Sequence, residues 1–256
     1  MGEAIISAVL EKNLAAPADI YVSDVSSSRC DYLKKQYGVV ATVNNREAVS
    51  NKDVIVLAVK PQNLPEVLSD LKGCIKPVQL VLSIIAGVKI GTISHGSGHS
   101  NIVRCMPNTP AQIGFGMSAW TATAGVTAAQ KEQSKAILGA MGREIYFEDE
   151  KCIDMATAVS GSGPAYCFMF AEALVDAAVN IGLPRAEARE MVSQTLLGSA
   201  QLMGQSGKPP AELRRNVTSR GGTTESALQV FDKGGFAGLV EDAVKAAYRR
   251  AKELGE

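Results

Sequence analysis

From residue 20 to residue 106 one pattern repeats: a short apolar run, a polar turn, a helical stretch, then another apolar run. The runs are Ile20-Tyr21-Val22-Ser23, Val39-Val40-Ala41-Thr42, Asp53–Val59, Val78–Ile85 and Ile102–Met106. Strands this rich in Val, Ile and Leu, without polar alternation, must be covered on both faces, and the helices between them supply the cover. Those helices show their ends: Ser26 to Tyr37 closed by Gly38, Asn44 to Val49, and a helix begun at Pro61 that carries Leu64, Val67, Leu68 and Leu71. An earlier helix puts Ile5, Val9 and Leu10 on one side. This alternation dictates an α/β fold, a Rossmann-type doubly wound sheet whose ligands bind beyond the carboxyl ends of the strands. Gly116–Ala122 and Arg143–Phe147 flank a helix from Thr127 to Met141 and are expected to complete the sheet, one of them as an antiparallel candidate.

Beyond Glu148 the strand signal ends, so two domains are expected: residues 1–148 as the dinucleotide-binding sheet and 149–256 as an all-α half. Ser160-Gly161-Ser162-Gly163 punctuates the second half, and Pro164 opens a long helix to Ile181, closed by Gly182. Further helices are expected from Pro184 to Met203, Pro209 to Arg215 and Gly238 to Leu254. The Pro164–Ile181 helix is apolar around nearly its whole circumference, which calls for burial on all sides. A domain core or an intertwined dimer would provide it.

Composition closes several other doors. The formal net charge is zero and no Lys/Arg stripe appears, against nucleic acid and membrane surfaces as partners. The apolar runs are far too short to span a bilayer, and no basic-then-apolar leader precedes them, so a cytoplasmic chain is expected. Five cysteines without C-x-x-C spacing read as reduced, buried thiols. His95 and His99 are placed in a Gly/Ser-rich loop with no nearby carboxylate, and no metal site is expected.

The most chemical stretch is Asn216-Val217-Thr218-Ser219-Arg220-Gly221-Gly222-Thr223-Thr224, running into a helix spaced by Ala227, Leu228 and Phe231. The paired glycines permit close backbone approach, and the first amides of the helix face outward at the positive end of its dipole. Such a site suits a carboxylate or a phosphate. With Arg220 as the one cation in the stretch, backbone amides would do most of the holding.

This loop closely resembles the signature of the pyrroline-5-carboxylate reductases, which make proline from a cyclic imine. The likeness continues through Ala58-Val59-Lys60-Pro61, Cys105-Met106-Pro107-Asn108-Thr109 and Ser160-Gly161-Ser162-Gly163-Pro164-Ala165, in family order and spacing over essentially the whole chain. It implies a reductase that transfers hydride from NAD(P)H to the imine and gives L-proline, the last step of proline biosynthesis. By resemblance, Gly221, Gly222, Thr223 and Thr224 hold the substrate with Ser160, Gly161, Ser162 and Gly163 beside it. Thr224 is the candidate catalytic hydroxyl, because the imine is readily protonated and no strong acid is needed. The helical half is expected to form a homodimer, with a larger ring as a further assembly.

Three strand ends, Lys60-Pro61, Ala86-Gly87 and Pro107-Asn108, lie at one edge of the expected sheet and fit a cofactor cleft. The resemblance adds Ala58, Val59 and Asn45 as nucleotide contacts. Asp24 follows Gly2 at about the spacing between the last fingerprint glycine and the ribose-binding acid. Asp24 suits the free 2′-hydroxyl of NADH, whereas Ser26 and Arg29 offer a hydroxyl and a cation to the 2′-phosphate of NADPH. NADPH is the expected cofactor, with NADH as the alternative. Two rivals remain on the table. A β-hydroxyacid dehydrogenase would need a lysine on the long helix, and Pro164–Ile181 contains none. A non-catalytic dinucleotide-binding scaffold would have no reason to keep the substrate loop.

In the family Gly2 would be the third glycine of G-x-G-x-x-G, so the chain is read as starting inside the phosphate loop with the first strand of the sheet missing. An extension ahead of Met1, a short apolar strand ending in Gly-x-Gly-x, is then expected to tighten NADPH binding and raise the melting temperature. Titration and melting curves on both forms check this; identical values would mean that Gly2 has been misaligned.

Overall fold

The computed structural model describes residues 1–255 and divides into two compact units, Met1–Ser162 joined by the last residues from Ala247, and Gly163–Ala246. The first unit holds α1 (Gly2–Glu11), β1 (Tyr21–Ser23), α2 (Ser27–Tyr37), β2 (Val40–Thr42), α3 (Asn45–Val49), β3 (Val54–Leu57), α4 (Leu64–Leu71) and β4 (Leu80–Ser83). It continues with α5 (Ile90–Ser97), β5 (Ile102–Met106), β6 (Gly116–Ala122), α6 (Ala128–Ala140), β7 (Gly142–Tyr146) and α7 (Lys151–Ala156). A π-helical turn, Thr157–Gly161, follows α7.

Five strands pair in the order β3-β4-β5-β6-β7, parallel except that β6 runs antiparallel to β5. β1 and β2 form a separate parallel pair, with no ladder between β1 and β3 among the described residues. Strand β4 is completely buried, as its central position requires. Its alternate residues face opposite cores, as the two-residue period of a strand demands. Leu80 and Leu82 join Ile5, Ala8 and Val9 of α1 with Leu138 of α6. Val81 joins Leu64 and Leu68 of α4 with Ile93 of α5. Helix α1 also reaches the small sheet, where Ile6 packs with Leu33 and Val39 and against Val22. The caps read in the sequence form as hydrogen bonds. Ser26 accepts from the Arg29 amide, Asn44 from the amides of Arg46 and Glu47, and Thr127 forms a reciprocal capping box with Gln130.

Two expectations fail here. Of the five thiols read as buried, Cys30 and Cys105 are buried, Cys74 and Cys152 half-buried and Cys167 exposed. The segment placed as a Gly/Ser-rich loop is helix α5 over most of its length, with His95 in its last turn, and His99 is buried with its Nε2 2.8 Å from the Gln79 carbonyl oxygen. Gly91, Gly96 and the serines Ser94 and Ser97 argue locally against a helix, but Ile93 is fully buried and pulls the segment onto the sheet. Gly96 has a packing reason: a Cβ there would stand 2.6 Å from Leu68 Cδ1 of α4.

The second unit holds α8 (Gly163–Asn180), α9 (Arg185–Ser206), α10 (Pro210–Asn216), α11 (Thr223–Lys233) and the start of α12 (Phe236–Glu253). The α8–α9 turn contains Gly182 at φ 104°, and Arg185 pairs with Asp176 across it at 3.0 Å. Phe170, Phe231 and Phe236 stack as a cluster with centroids 5.4 to 6.5 Å apart. Little else is enclosed. No residue of α8 is buried, and Phe168 and Met169 are 64% and 72% exposed.

Candidate active site

The ends of the parallel strands in the first unit gather most of the residues expected to meet a dinucleotide. At the end of β1, the Ser23 hydroxyl donates to Asn45 Oδ1 at 2.8 Å, which ties α3 to the strand. Asp24 accepts the Ser26 amide on Oδ1 at 2.9 Å. Ser26 then caps α2, which places Arg29 in its first turn. Gly2 opens α1 without a side-chain cap, and a Cβ on it would sit 3.4 Å from the Ala58 Cβ just past β3. The open amides of α1 therefore lie against the end of β3. Val59 is partly buried under the second core cluster, while Lys60 and Pro61 are exposed at the start of a short 3₁₀ turn. Ala86 is half-buried. Gly87 is buried at φ 77° beneath Leu254, its would-be Cβ 2.7 Å from that side chain.

At the end of β5 the backbone turns through buried Pro107 into Asn108. The Asn108 amide bridges three groups: Oδ1 accepts from the Met117 amide at 2.9 Å, and Nδ2 donates to both the carbonyl and the hydroxyl oxygen of Ser160 at 3.2 Å. Ser160 and Gly161 belong to the π-helical turn, so the Ser-Gly-Ser-Gly segment is held against the strand end as structured backbone. A π turn puts one extra residue into a helix and so redirects the groups at that point.

One group behind this site escaped the sequence reading. Arg104, on β5, is only 2% exposed, and its guanidinium reaches Glu150 at 2.9 Å and Asp154 of α7 at 2.5 Å. Glu150 Oε1 also accepts the Ile90 amide at 2.8 Å, at the start of α5. The signal was present: a lone arginine within the apolar run Ile102–Met106 needs a buried counter-charge. Nothing local tells that the counter-charge lies 46 and 50 residues downstream. The neighbouring Cys105 is fully buried, and burial pushes its thiol up, so it stays protonated and unreactive.

The signature loop is built within the second unit. Val217 and Thr218 donate their amides back to Arg214 and Arg215 at 3.3 and 3.1 Å, closing α10. Gly221 takes φ 71°, which favours glycine, and a Cβ at Gly222 would stand 2.5 Å from Ser219 Oγ, so the serine side chain would have to shift for any other residue. The Gly221 amide donates to Glu225 Oε2 at 2.7 Å and the Gly222 amide to the Ser219 carbonyl at 3.0 Å. Gly222 caps α11 without a side chain. The first hydrogen bond of α11 runs from the Ser226 amide to the Gly222 carbonyl at 3.2 Å, which leaves the amides of Thr223, Thr224 and Glu225 directed outward. Thr224 is half-buried in that first turn.

Residues 150–254 match the family model for pyrroline-5-carboxylate reductase dimerisation, and residues 1–87 match one described as coenzyme F420-dependent NADP oxidoreductase. The chain is 43% identical to a pyrroline-5-carboxylate reductase of a Synechocystis species over 257 aligned positions, covering 100% of this chain and 95% of that protein. It belongs to the pyrroline-5-carboxylate reductase family. Solved structures agree. A pyrroline-5-carboxylate reductase from Coxiella burnetii superposes with a TM-score of 0.93 at 37% identity, covering 100% of this chain and 95% of that one. The Plasmodium falciparum enzyme, solved with NADP bound, gives 0.89 at 32% identity over 100% and 95%. The fold is therefore a Rossmann-like sheet followed by a helical dimerisation region, in a nicotinamide-dinucleotide oxidoreductase family. Among the described residues no three His, Cys, Asp or Glu side chains cluster as metal ligands, and no helix is long and apolar enough to cross a membrane.

The buried ion group carries a stability prediction. Replacing Arg104 by Met strands two carboxylates, one of them only 10% exposed, and should cost about 3–5 kcal/mol of unfolding free energy. Urea unfolding checks this; a loss of less than about 1 kcal/mol would show that water reaches the carboxylates.

Proposed function

We propose that the chain reduces 1-pyrroline-5-carboxylate to L-proline at the expense of NADPH, accepting NADH less well. The observation that carries this reading is the signature loop, with its three outward amides and Thr224 at the mouth of α11, in a chain of this family over its whole length. The residues of the first unit suit a dinucleotide: open α1 amides beside Gly2 and Ala58 for the pyrophosphate, and the Asp24 carboxylate for a ribose hydroxyl. Ser26 and Arg29 favour the 2′-phosphate form. Asn45, Val59, Lys60, Pro61, Ala86, Gly87, Pro107 and Asn108 complete the set of contacts. When bound, the cofactor supplies the hydride for the imine carbon.

The protein's own work is positioning. The amides of Thr223 and Thr224, at the positive end of α11, hold the substrate carboxylate, with Gly221 and Gly222 letting the backbone come close. By the family resemblance Ser160, Gly161, Ser162 and Gly163 also contact the substrate. The Thr224 hydroxyl orients the ring nitrogen and relays its proton. Most of the acceleration then comes from holding two reactants at short range, not from a strong acid or base. We assign dinucleotide binding to residues 1–148 and dimerisation with substrate binding to residues 149–256. The exposed apolar surface of α8 supports a homodimer, on which a larger ring can be built, and five free thiols suit the cytoplasm. A scaffold without catalysis is disfavoured, since it would need none of the loop's constrained glycines.

The direct test is oxidation of NADPH by purified protein when the imine is added, repeated with NADH. Thr224→Ala should slow turnover while leaving fold and cofactor binding intact, by roughly 1.5–4 kcal/mol, or about tenfold to several-hundredfold. An unchanged rate where chemistry limits turnover removes Thr224 from the mechanism. The dimer has its own test. Obligate interfaces of this kind bury upward of ~2,000 Å², so sedimentation at micromolar protein should show no folded monomer. Phe168→Glu should break the assembly, and a stable monomer of the unaltered chain would overturn the assignment of α8.

A further inference from the structure

Glu3, in the first turn of α1, is the hub of a polar cluster that the assigned site residues leave unexplained. Its Oε1 accepts the Tyr37 hydroxyl at 2.8 Å and the Tyr32 hydroxyl at 3.1 Å, and its Oε2 is bonded to Nη2 of Arg29. The three partners all lie on α2, the helix that Ser26 caps beside Asp24. The Arg29 guanidinium carbon rests 4.9 Å from the centre of the Tyr32 ring, so the cation is fixed both by charge and by the aromatic face. Arg29 and the two phenols hold the Glu3 carboxyl below the usual carboxylate range, and it is ionised at neutral pH. Burial and the bond to Glu3 push the Tyr37 phenol up to about 12, so it remains a donor.

Arg29 therefore faces two carboxylates, Glu3 in contact and Asp24 near enough to act on it electrostatically. A nucleotide 2′-phosphate arriving beside Arg29, Ser26 and Ser28 finds the cation already neutralised. Moving Glu3 away would give up its ion pair with Arg29 and its two bonds from the phenol hydroxyls. We propose that Glu3 is the specificity-determining residue of the ribose site: by occupying Arg29 it lowers the preference for a 2′-phosphorylated nucleotide and keeps the 2′-hydroxyl form competitive. This rests on the reading that Asp24, Ser26 and Arg29 receive the adenosine ribose. Removing one fixed negative charge several ångströms from a phosphate dianion, near a protein surface, should change its binding by roughly five- to twentyfold.

The test is calorimetric titration of the full chain with adenosine 2′,5′-bisphosphate, AMP, NADPH and NADH. The variants are Glu3→Gln, Glu3→Ala and Arg29→Gln, with circular dichroism and melting curves on each. Glu3→Gln keeps the size and the acceptor, and Glu3→Ala serves as the second variant should the first melt early. Both should tighten the two 2′-phosphate ligands by roughly five- to twentyfold and leave AMP and NADH unchanged. Arg29→Gln should weaken the 2′-phosphate ligands alone. If Arg29→Gln does so while the Glu3 variants leave the ratio unchanged or lower it, the Glu3 assignment falls and the ribose site stands. If Arg29→Gln leaves the ratio unchanged as well, both fall together.

Discussion

A fully buried arginine has to be neutralised where it sits, and in the first unit that requirement organises everything around the end of β5. Arg104 draws Glu150 and Asp154 inward, and Glu150 in turn receives the Ile90 amide. One guanidinium thereby fastens a strand, the start of α5 and helix α7, elements far apart in sequence. Helix α7 leads directly into the π turn that carries Ser160, and Asn108 clamps that turn to the end of the same strand. The turn carrying Ser160, proposed to contact the substrate, is thus held at both ends by polar groups on β5 and the loop after it. Desolvating three charges is costly, and the arrangement secures geometry more than it secures stability.

The second unit obeys a different constraint. Its helices are well formed, yet α8 buries no residue and α11 buries none. The Phe170, Phe231 and Phe236 cluster is its main aromatic contact. An apolar helix left in water would lose on the order of 1.5–3 kcal/mol for each large side chain that burial could have stabilised. A dimerisation region relieves this by borrowing its core from a second copy, which fits a family whose helical half is described by dimerisation.

Much of this was legible from residue pattern. Runs such as Val78–Ile85 and Ile102–Met106 read as buried parallel strands, and Ser26, Asn44, Thr127 and Gly38 marked helix ends by their own hydrogen-bonding and backbone chemistry. Those are local rules, satisfied within a few residues. The signature loop was legible for the same reason, because Gly221 is favoured by its backbone angle and Gly222 packs against Ser219, a neighbour in the chain.

What the pattern could not reveal was long-range. Helix α5 forms against the preference of its glycines and serines because burying Ile93 outweighs propensity, and Gly96 is explained only by Leu68 lying against it. The partners of Arg104 lie 46 and 50 residues away, and those of Glu3 on α2 lie 26 to 34 residues away. The amino-acid sequence by itself determined the strands, the caps, the glycine loop and, through them, the α/β class and the family. Tertiary structure alone decided which charge meets which, because an ion pair depends on distance through space, and sequence spacing carries no record of that distance once the chain has turned back on itself.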